Sequence, residues 1–268
     1  MGRSWDFYDD IAHLYDGQYE EPYWKLYHEI TARLIERAIQ RFFPGKETLL
    51  VADIGTGTGT WMEFFLLEDH RVWALDPSEK MLQRARLKAE LLEVGPDKVF
   101  FHHGIAEAMP YPDNFFDVVN AQGDVLSYAV EPDTVFQQVK RVLKPGGLLI
   151  GSVDNLFAFL NDFASTGNLR EFDRTLNSHH CTIGDHKHSS TRFTSHLYNP
   201  DTLKQVAQKH QMLLVETAGK VVFGPYEEKA ISHHFDQLAT LECTFALHPS
   251  LMCRAEHLHF IMQKEGGK

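Results

Sequence analysis

An α/β fold with a mostly parallel sheet and helices on both faces is what this 268-residue chain predicts. Three observations carry that expectation. Apolar runs of strand length alternate with helix-length amphipathic stretches between residues 46 and 154. The first of those runs leads into a glycine loop, "VADIGTGTGT". A hydrophobic content of 43% is enough to fill one sizeable core at this length.

The elements follow in order. From Trp5 to about Phe43 the chain is aromatic-rich, and Leu26, Ile30, Leu34, Ile35 and Ala38 recur on one helical face. "FPGK" ends that segment, because Pro and Gly interrupt regular structure. "TLLVADIG" predicts a buried strand, "TWMEFFLLE" a helix and "RVWALD" a second strand. "SEKMLQRARLKAELLEV" predicts a helix with Ser78 as its N-cap, an acid in its first turn and Gly95 beyond its end. "KVFFHHG" and "NFFDVVNAQ" supply two more strands, the second after the turn "YPDN". "DTVFQQVKRVL" predicts a helix, "KPGG" a turn and "LLIGSVD" a fifth strand. Strands separated by helices of this length form βαβ units. From Asn155 to about Ser195 the pattern loosens, which predicts an insertion or lid over the strand ends. "NPDTLKQVAQKH" then predicts a helix capped by Asn199, with Pro200 at its first position. "MLLVETAGKVVF" is a strand candidate, residues 227–246 a helix, and "AEHLHFIMQK" a closing strand that alternates at Leu258, Phe260 and Met262. The expected organisation is one domain over 1–268. It comprises an N-terminal helical segment (1–45), a cofactor-binding core (46–154), the insertion (155–195) and the C-terminal part of the sheet (196–268).

Composition excludes some function classes. The formal net charge of −11 argues against a broad nucleic-acid or anionic-membrane footprint. No apolar run approaches the roughly 20 residues of a membrane span, and the N-terminus has no signal core. Cys181, Cys243 and Cys253 have no paired spacing, which suits a reducing compartment. A cytoplasmic location is the expectation.

The glycine loop points to a nucleoside cofactor. A dinucleotide fingerprint starting at Gly55 would need a third glycine where Thr60 stands. The pattern is instead Asp53, Gly55, Gly57, Gly59 in D-x-G-x-G-x-G. Glycines here let backbone approach a ligand where a side chain would collide. Asp76 ends the second strand about 20 residues on, where a carboxylate can accept ribose hydroxyls. That feature fits a dinucleotide and S-adenosylmethionine alike. Asp53 beside the loop suits a cationic amino acid better than a pyrophosphate.

"VADIGTGTG", "ALDPSEKML", "GIAEAMPYPDNFFDVV" and "VKRVLKPGGLLIGSVDN" resemble the successive motifs of class I S-adenosylmethionine-dependent methyltransferases. "FYDDIAHLYD" is similar to the N-terminal helix of their small-molecule branch. "QGDVLSY" and "SVDN" resemble the ubiquinone/menaquinone-biosynthesis type. The resemblance covers Trp5 to Asn155. It implies a Rossmann-like, seven-stranded sheet whose last strand, "AEHLHFIMQK", is antiparallel. It implies S-adenosylmethionine as cofactor, a small-molecule methyl acceptor of quinone-like or other kind, and no nucleic-acid partner. Oligomeric state stays open.

By that resemblance Gly55, Thr56, Gly57 and Gly59 face the cofactor. Asp53 orders the loop and faces the methionine ammonium, directly or through water; the plainer alternative is a helix cap. Asp76 takes the ribose diol, against the alternative of bonding a backbone N–H. Pro77 and Ser78 lie against adenine. Relatives carry Asp where this chain has Ile105, so adenine contact passes to Ile105, Ala106 or Glu107. Gln122 and Gly123 line the methionine side. Asp124, Tyr128 and Asp154 face the methyl group or acceptor, with Asp124 alternatively an N-cap. Tyr15 closes over the cofactor, or simply packs. No catalytic base is assigned. "SHHCTIGDHKH", with His179, His180, Cys181, His186 and His188, has a composition that could hold zinc, but lies in the loosely patterned insertion, so no metal is expected. Two other classes compete with a methyltransferase. A cofactor-binding protein without transfer activity lacks only chemistry that this sequence does not display. An oxidoreductase shares only the glycine loop.

Overall fold

In chain order, a computed structural model places helices α1 (Ser4–Gln18) and α2 (Pro22–Phe42), strand β1 (Leu50–Ile54), α3 (Thr60–Leu67), β2 (Arg71–Asp76), α4 (Glu79–Leu91) and β3 (Val99–His103). A single 3₁₀ turn (Ala106–Ala108) follows, then β4 (Phe116–Ala121), α5 (Val125–Tyr128), α6 (Pro132–Val142) and β5 (Leu143–Asp154). The remainder is α7 (Leu156–Ser165), α8 (Leu169–Ser178), β6 (His180–Ile183), β7 (Phe193–His196), α9 (Pro200–Lys209), β8 (Met212–Lys220), α10 (Glu228–Phe245), α11 (Pro249–Met252) and β9 (His257–Lys264). The structure describes residues 2–184 and 189–266.

Seven strands form one sheet in the order β3-β2-β1-β4-β5-β9-β8. The first five are parallel, and β9 runs antiparallel between β5 and β8. Strand order reverses between β1 and β4, so the loops after these strands diverge to opposite faces. A crevice opens at their carboxyl ends, where ligands of doubly wound sheets bind. Both faces are covered. Ala52 and Ile54 of β1 pack to one side with Val119, Leu149 and Phe260, while Val51 packs to the other with Val118, Leu148 and Ile261. Burial on both faces explains why these strands are continuous apolar runs rather than alternating ones.

The helical N-terminal segment is divided in two: α1 ends at Gln18, and Pro22 starts α2. Two expectations are corrected. "KPGG" is not a turn before the fifth strand. β5 already begins at Leu143, and the segment is absorbed as an irregularity opposite β4 between Phe116 and Val118. In its described residues the 155–195 stretch is not loose. It holds α7, α8 and the β6–β7 hairpin, closed by a small core of Leu156, Leu160, Cys181 and Leu197. Its Asn-rich composition reflects helix caps: Asn155 accepts from Phe157 N–H and Asn168 from Glu171 N–H.

Asn155 is the buried joint between sheet and insertion. Its Nδ2 donates to the carbonyls of Cys253 (3.1 Å) and Ala255 (2.6 Å), while Oδ1 caps α7. Asn155→Ala leaves two buried carbonyls and a helix end unpaired, and should destabilise the fold by about 2–3 kcal/mol. Urea unfolding checks this, and a loss below about 0.5 kcal/mol contradicts it.

Candidate active site at the strand ends

The crevice contains a cavity of about 350 Å³. Of the residues singled out from sequence, Gly55, Thr56 and Gly57 line it from the loop after β1, with Asp76 and Pro77 from the end of β2. Ile105, Ala106 and Glu107 line it beyond β3. Gln122, Gly123, Asp124 and Tyr128 line it after β4, and Tyr15 covers it from α1. Asp53, Gly59, Ser78 and Asp154 stand behind that surface.

Local chemistry explains the division. Asp53 is 1% exposed. Its Oδ1 accepts from Asn120 Nδ2 (2.7 Å) and its Oδ2 from Thr56 Oγ1 (2.5 Å), so the carboxylate is engaged inside the protein. Burial lifts its carboxyl to about 6. It orders the loop from below and does not itself line the cavity. Gly55 has φ +64°, and a Cβ there would run into Val125. Gly59 has φ +89° and starts α3; a Cβ would lie 3.1 Å from that of Ala85, so this glycine serves helix packing rather than the cavity wall. Ser78 caps α4 by accepting from Met81 N–H, and its hydroxyl donates to Asp9 of α1.

Asp76 presents its carboxylate to the cavity. Oδ2 accepts from Gly57 N–H and Oδ1 from Ser78 N–H, both at 2.8 Å. The backbone-bonding alternative is therefore present too, yet each oxygen keeps a lone-pair direction for a ligand hydroxyl. Burial raises this carboxyl to about 6. Glu107 Oε1 accepts from the Val130 and Glu131 N–H groups, and Ile105 and Ala106 border the same part of the cavity.

Over β4, β5 and β9 the cavity has different walls. Tyr8, Tyr15, Tyr19, Tyr27 and Tyr128 surround it, and the Tyr15 and Tyr19 hydroxyls are 2.8 Å apart. Asp124 is the N-cap residue of α5 with φ +62°, but its side chain does not cap the helix. It turns to His257, whose Nδ1 lies 3.0 Å from Asp124 and 3.5 Å from Asp154. Asp154 also accepts from Ser195 Oγ at 2.5 Å. Burial presses the His257 imidazolium down, but the two carboxylates carry it up to about 9. Burial pushes Asp124 up, and His257 outweighs that to hold it below the usual range. Asp154 rises to about 7 through burial and the neighbouring Asp124.

Asp124, Asp154 and His257 have donor atoms within 4.8 Å of one another, a spacing a divalent cation could also use. A protonated His257 is the cation that the pair of carboxylates already holds. In the His-rich stretch, His180 meets only His196 among described residues, at 3.0 Å; His186 and His188 lie outside them.

Sequence reasoning did not assign Lys220, His257 or His259. Their signal was polar residues inside strand-like apolar text, "TAGKVVF" and "HLHF". Asp9 and Asp16 of α1 lie within the quoted "FYDDIAHLYD" but were given no role. Asp16 accepts from Thr58 Oγ1 (2.5 Å) and Arg84 (3.1 Å), and so pins α1 over the loop.

The raised His257 stabilises the folded state fully below pH 6.5, and that contribution is lost as pH rises through about 9. The stability gap between the native protein and His257→Gln should therefore be widest near pH 6, on the order of 3 kcal/mol, and shrink by pH 9.5. Urea titrations across this range check it; a pH-independent gap contradicts it.

Comparison with known proteins agrees with this geometry. Residues 51–147 match the family described as a methyltransferase domain. The chain is 32% identical over 155 residues to 27-O-demethylrifamycin SV methyltransferase of Amycolatopsis mediterranei, covering 56% of each. It is 37% identical over 110 residues to demethylmenaquinone methyltransferase of Bacillus mycoides, covering 40% of this chain and 44% of that one. These matches span about half the length of the relatives or less. Among solved structures, a SAM-dependent methyltransferase from Methanosarcina mazei superimposes with a TM-score of 0.62 at 17% identity, over 86% of this chain and 98% of that one. The [4+2]-cyclase SpnF shares the fold with a TM-score of 0.55 at 17% identity, over 88% of this chain and 81% of that one. Among described residues no helix is long and apolar enough to cross a membrane. With its strand order and its bare loop after β1, the chain has the fold of class I S-adenosylmethionine-dependent methyltransferases, and residues 51–147 carry a methyltransferase domain.

Proposed function

We propose that this protein transfers a methyl group from S-adenosylmethionine to a small molecule, with flat quinone-like compounds as the leading acceptor class. One observation carries the reading. A single cavity joins a glycine loop and a ribose-height carboxylate at one end to an aromatic chamber at the other. The names of the rifamycin and menaquinone relatives point the same way.

The residues fit the cofactor. Gly55 and Gly57 form a cradle that a Cβ at Gly55 would close, Asp76 offers two carboxylate oxygens to the ribose, and Ile105–Ala106 offer main chain to adenine. Lys220 is the single Lys or Arg side chain in the described lining, and it lies away from the loop. A pyrophosphate would thus meet the buried carboxylates of Asp53 and Asp76 without a compensating cation, which disfavours a dinucleotide. S-adenosylmethionine supplies an electrophilic methyl group when bound. The chain's own tasks are to align the acceptor with it and to keep water away. Alignment alone can contribute roughly 7–11 kcal/mol. The tyrosines of α1 and α2, strapped down through Asp9 and Asp16, provide the cover. The whole chain acts as one unit, with residues 155–195 bracing that cover through Ser189, whose hydroxyl donates to Asp10.

Calorimetry should show binding of S-adenosylhomocysteine and none of NAD. Asp76→Ala should weaken that binding at least about tenfold, the worth of one to two charge-assisted hydrogen bonds. Affinity should fall below pH 6, where Asp76 gains a proton and its hydrogen bonds to ribose are no longer charge-assisted. Folded protein that gives no heat with the ligand removes the reading. Binding without conversion of S-adenosylmethionine to S-adenosylhomocysteine across a panel of hydroxyquinones and phenols would favour a non-methylating role, as the cyclase sharing this fold illustrates.

A further inference from the structure

Lys220 closes the inner end of the chamber from the last residue of β8, and it is 1% exposed. Its Nζ donates to Gln122 Oε1 (3.2 Å) and stands 4.1 Å above the Tyr27 ring. An ammonium carries three N–H donors, so two have no hydrogen-bond acceptor among the described residues. The nearest carboxylate, Asp124, is turned to His257. A buried cation with unused donors in a cavity wall is a seat for an anionic oxygen.

We propose, building on the methyltransferase reading, that the acceptor is a flat aromatic molecule bearing an acidic hydroxyl, a phenol or enol, and that the neutral Lys220 amine takes its proton and, as the ammonium so formed, holds the resulting oxyanion. The tyrosine walls supply ring faces for stacking, and the cation at the end fixes which atom of the ring system points inward.

The charged and titratable groups around Lys220 leave it as the proton acceptor. Asp124 comes from the β4–α5 junction, His257 and His259 from β9, and Tyr27 and His28 from α2. His257 is protonated and paired. Burial keeps His259 neutral, its Nε2 without a partner, and brings His28 down to about 4. Burial pushes the Tyr27 hydroxyl well above its ordinary value, so it stays protonated. Lys220 is the group that burial brings down to about 7, where an amine and an ammonium are both accessible. The transfer balances: acceptor O–H plus sulfonium gives a methyl ether, a thioether and one proton, and Nζ receives that proton before passing it to solvent on product release. The methyl carbon forms its new bond to oxygen as the bond to sulfur breaks, with that electron pair left on sulfur.

The test uses the full chain saturated with S-adenosylhomocysteine and 7-hydroxycoumarin, whose neutral and anionic forms absorb at different wavelengths. The native protein should bind the anion and lower the apparent pKa of the bound phenol by about one unit. Lys220→Met should lose that shift and bind the dye at least about tenfold more weakly above pH 7, while its S-adenosylhomocysteine affinity stays within about twofold. Lys220→Arg should keep anion binding, since the charge remains. An unchanged pKa shift in Lys220→Met overturns the proposal, as does failure of the native protein to bind the dye. Tenfold loss of S-adenosylhomocysteine affinity in Lys220→Met, with 5′-methylthioadenosine binding intact, also overturns it, because the anion would then be the cofactor's own carboxylate. Dye binding that is lost with EDTA and restored by Mg²⁺ overturns it in favour of a metal at Asp124, Asp154 and His257. S-adenosylhomocysteine binding by the native protein separates failure of this proposal from failure of the methyltransferase reading.

Discussion

The buried Asp53 carboxylate is the joint on which the site depends. It accepts from Asn120 on one side and Thr56 on the other, so it ties β1 to β4 where strand order reverses and fixes the loop that leaves β1. A carboxylate this deeply buried is tolerated when its lone pairs are occupied by well-placed donors. With that joint in place, Gly57 is held where its N–H reaches Asp76, and the tip of β2 is drawn to the same cavity. The crevice follows from the sheet's topology, while its shape follows from these few polar contacts.

The roof is assembled from a different part of the chain. α1 buries Ile11 and Ala12, packs Phe7 against Phe193 and Tyr8 against Phe193 and Tyr128, and adds polar contacts: Asp9 to Ser78, Asp16 to Thr58 and Arg84, and Ser4 to the Tyr128 carbonyl. The insertion adds Ser189 to Asp10 and the Arg192 carbonyl to Gly2. α2 is held by an apolar seam against β8 and α10.

Charge is distributed along the cavity in a graded way. Carboxylates gather beneath the loop and at the tip of β2, the tyrosine belt occupies the middle, and the cations Lys220 and His257 stand at the far end with Asp124 between them. Each buried ion has a partner or an open direction into the cavity, as low-dielectric surroundings require. The opposite ends therefore suit different chemistry, a cationic adenosyl amino acid at one and an electron-rich oxygen at the other.

How much was legible from sequence depended on how local each cause is. A parallel sheet buried on both faces writes itself as successive apolar runs, and the loop after β1 needs glycines because backbone there turns with positive φ, so the fold, Gly55, Gly57 and Asp76 followed from the text alone. Caps in the 155–195 stretch were mistaken for loop composition because Asn serves both. Which side chains of the cavity face inward was decided by tertiary structure. Asp53 and Asp154 turn away because donors wait for them in the interior, and Tyr15 and Lys220, far apart in the chain, line one cavity because α1 folds over the loop while β8 joins the sheet through β9. Composition and periodicity determined the scaffold, since those follow from short-range propensity and burial. The partners of each buried charge were settled only by packing, because electrostatic need is met through space and leaves no spacing along the chain.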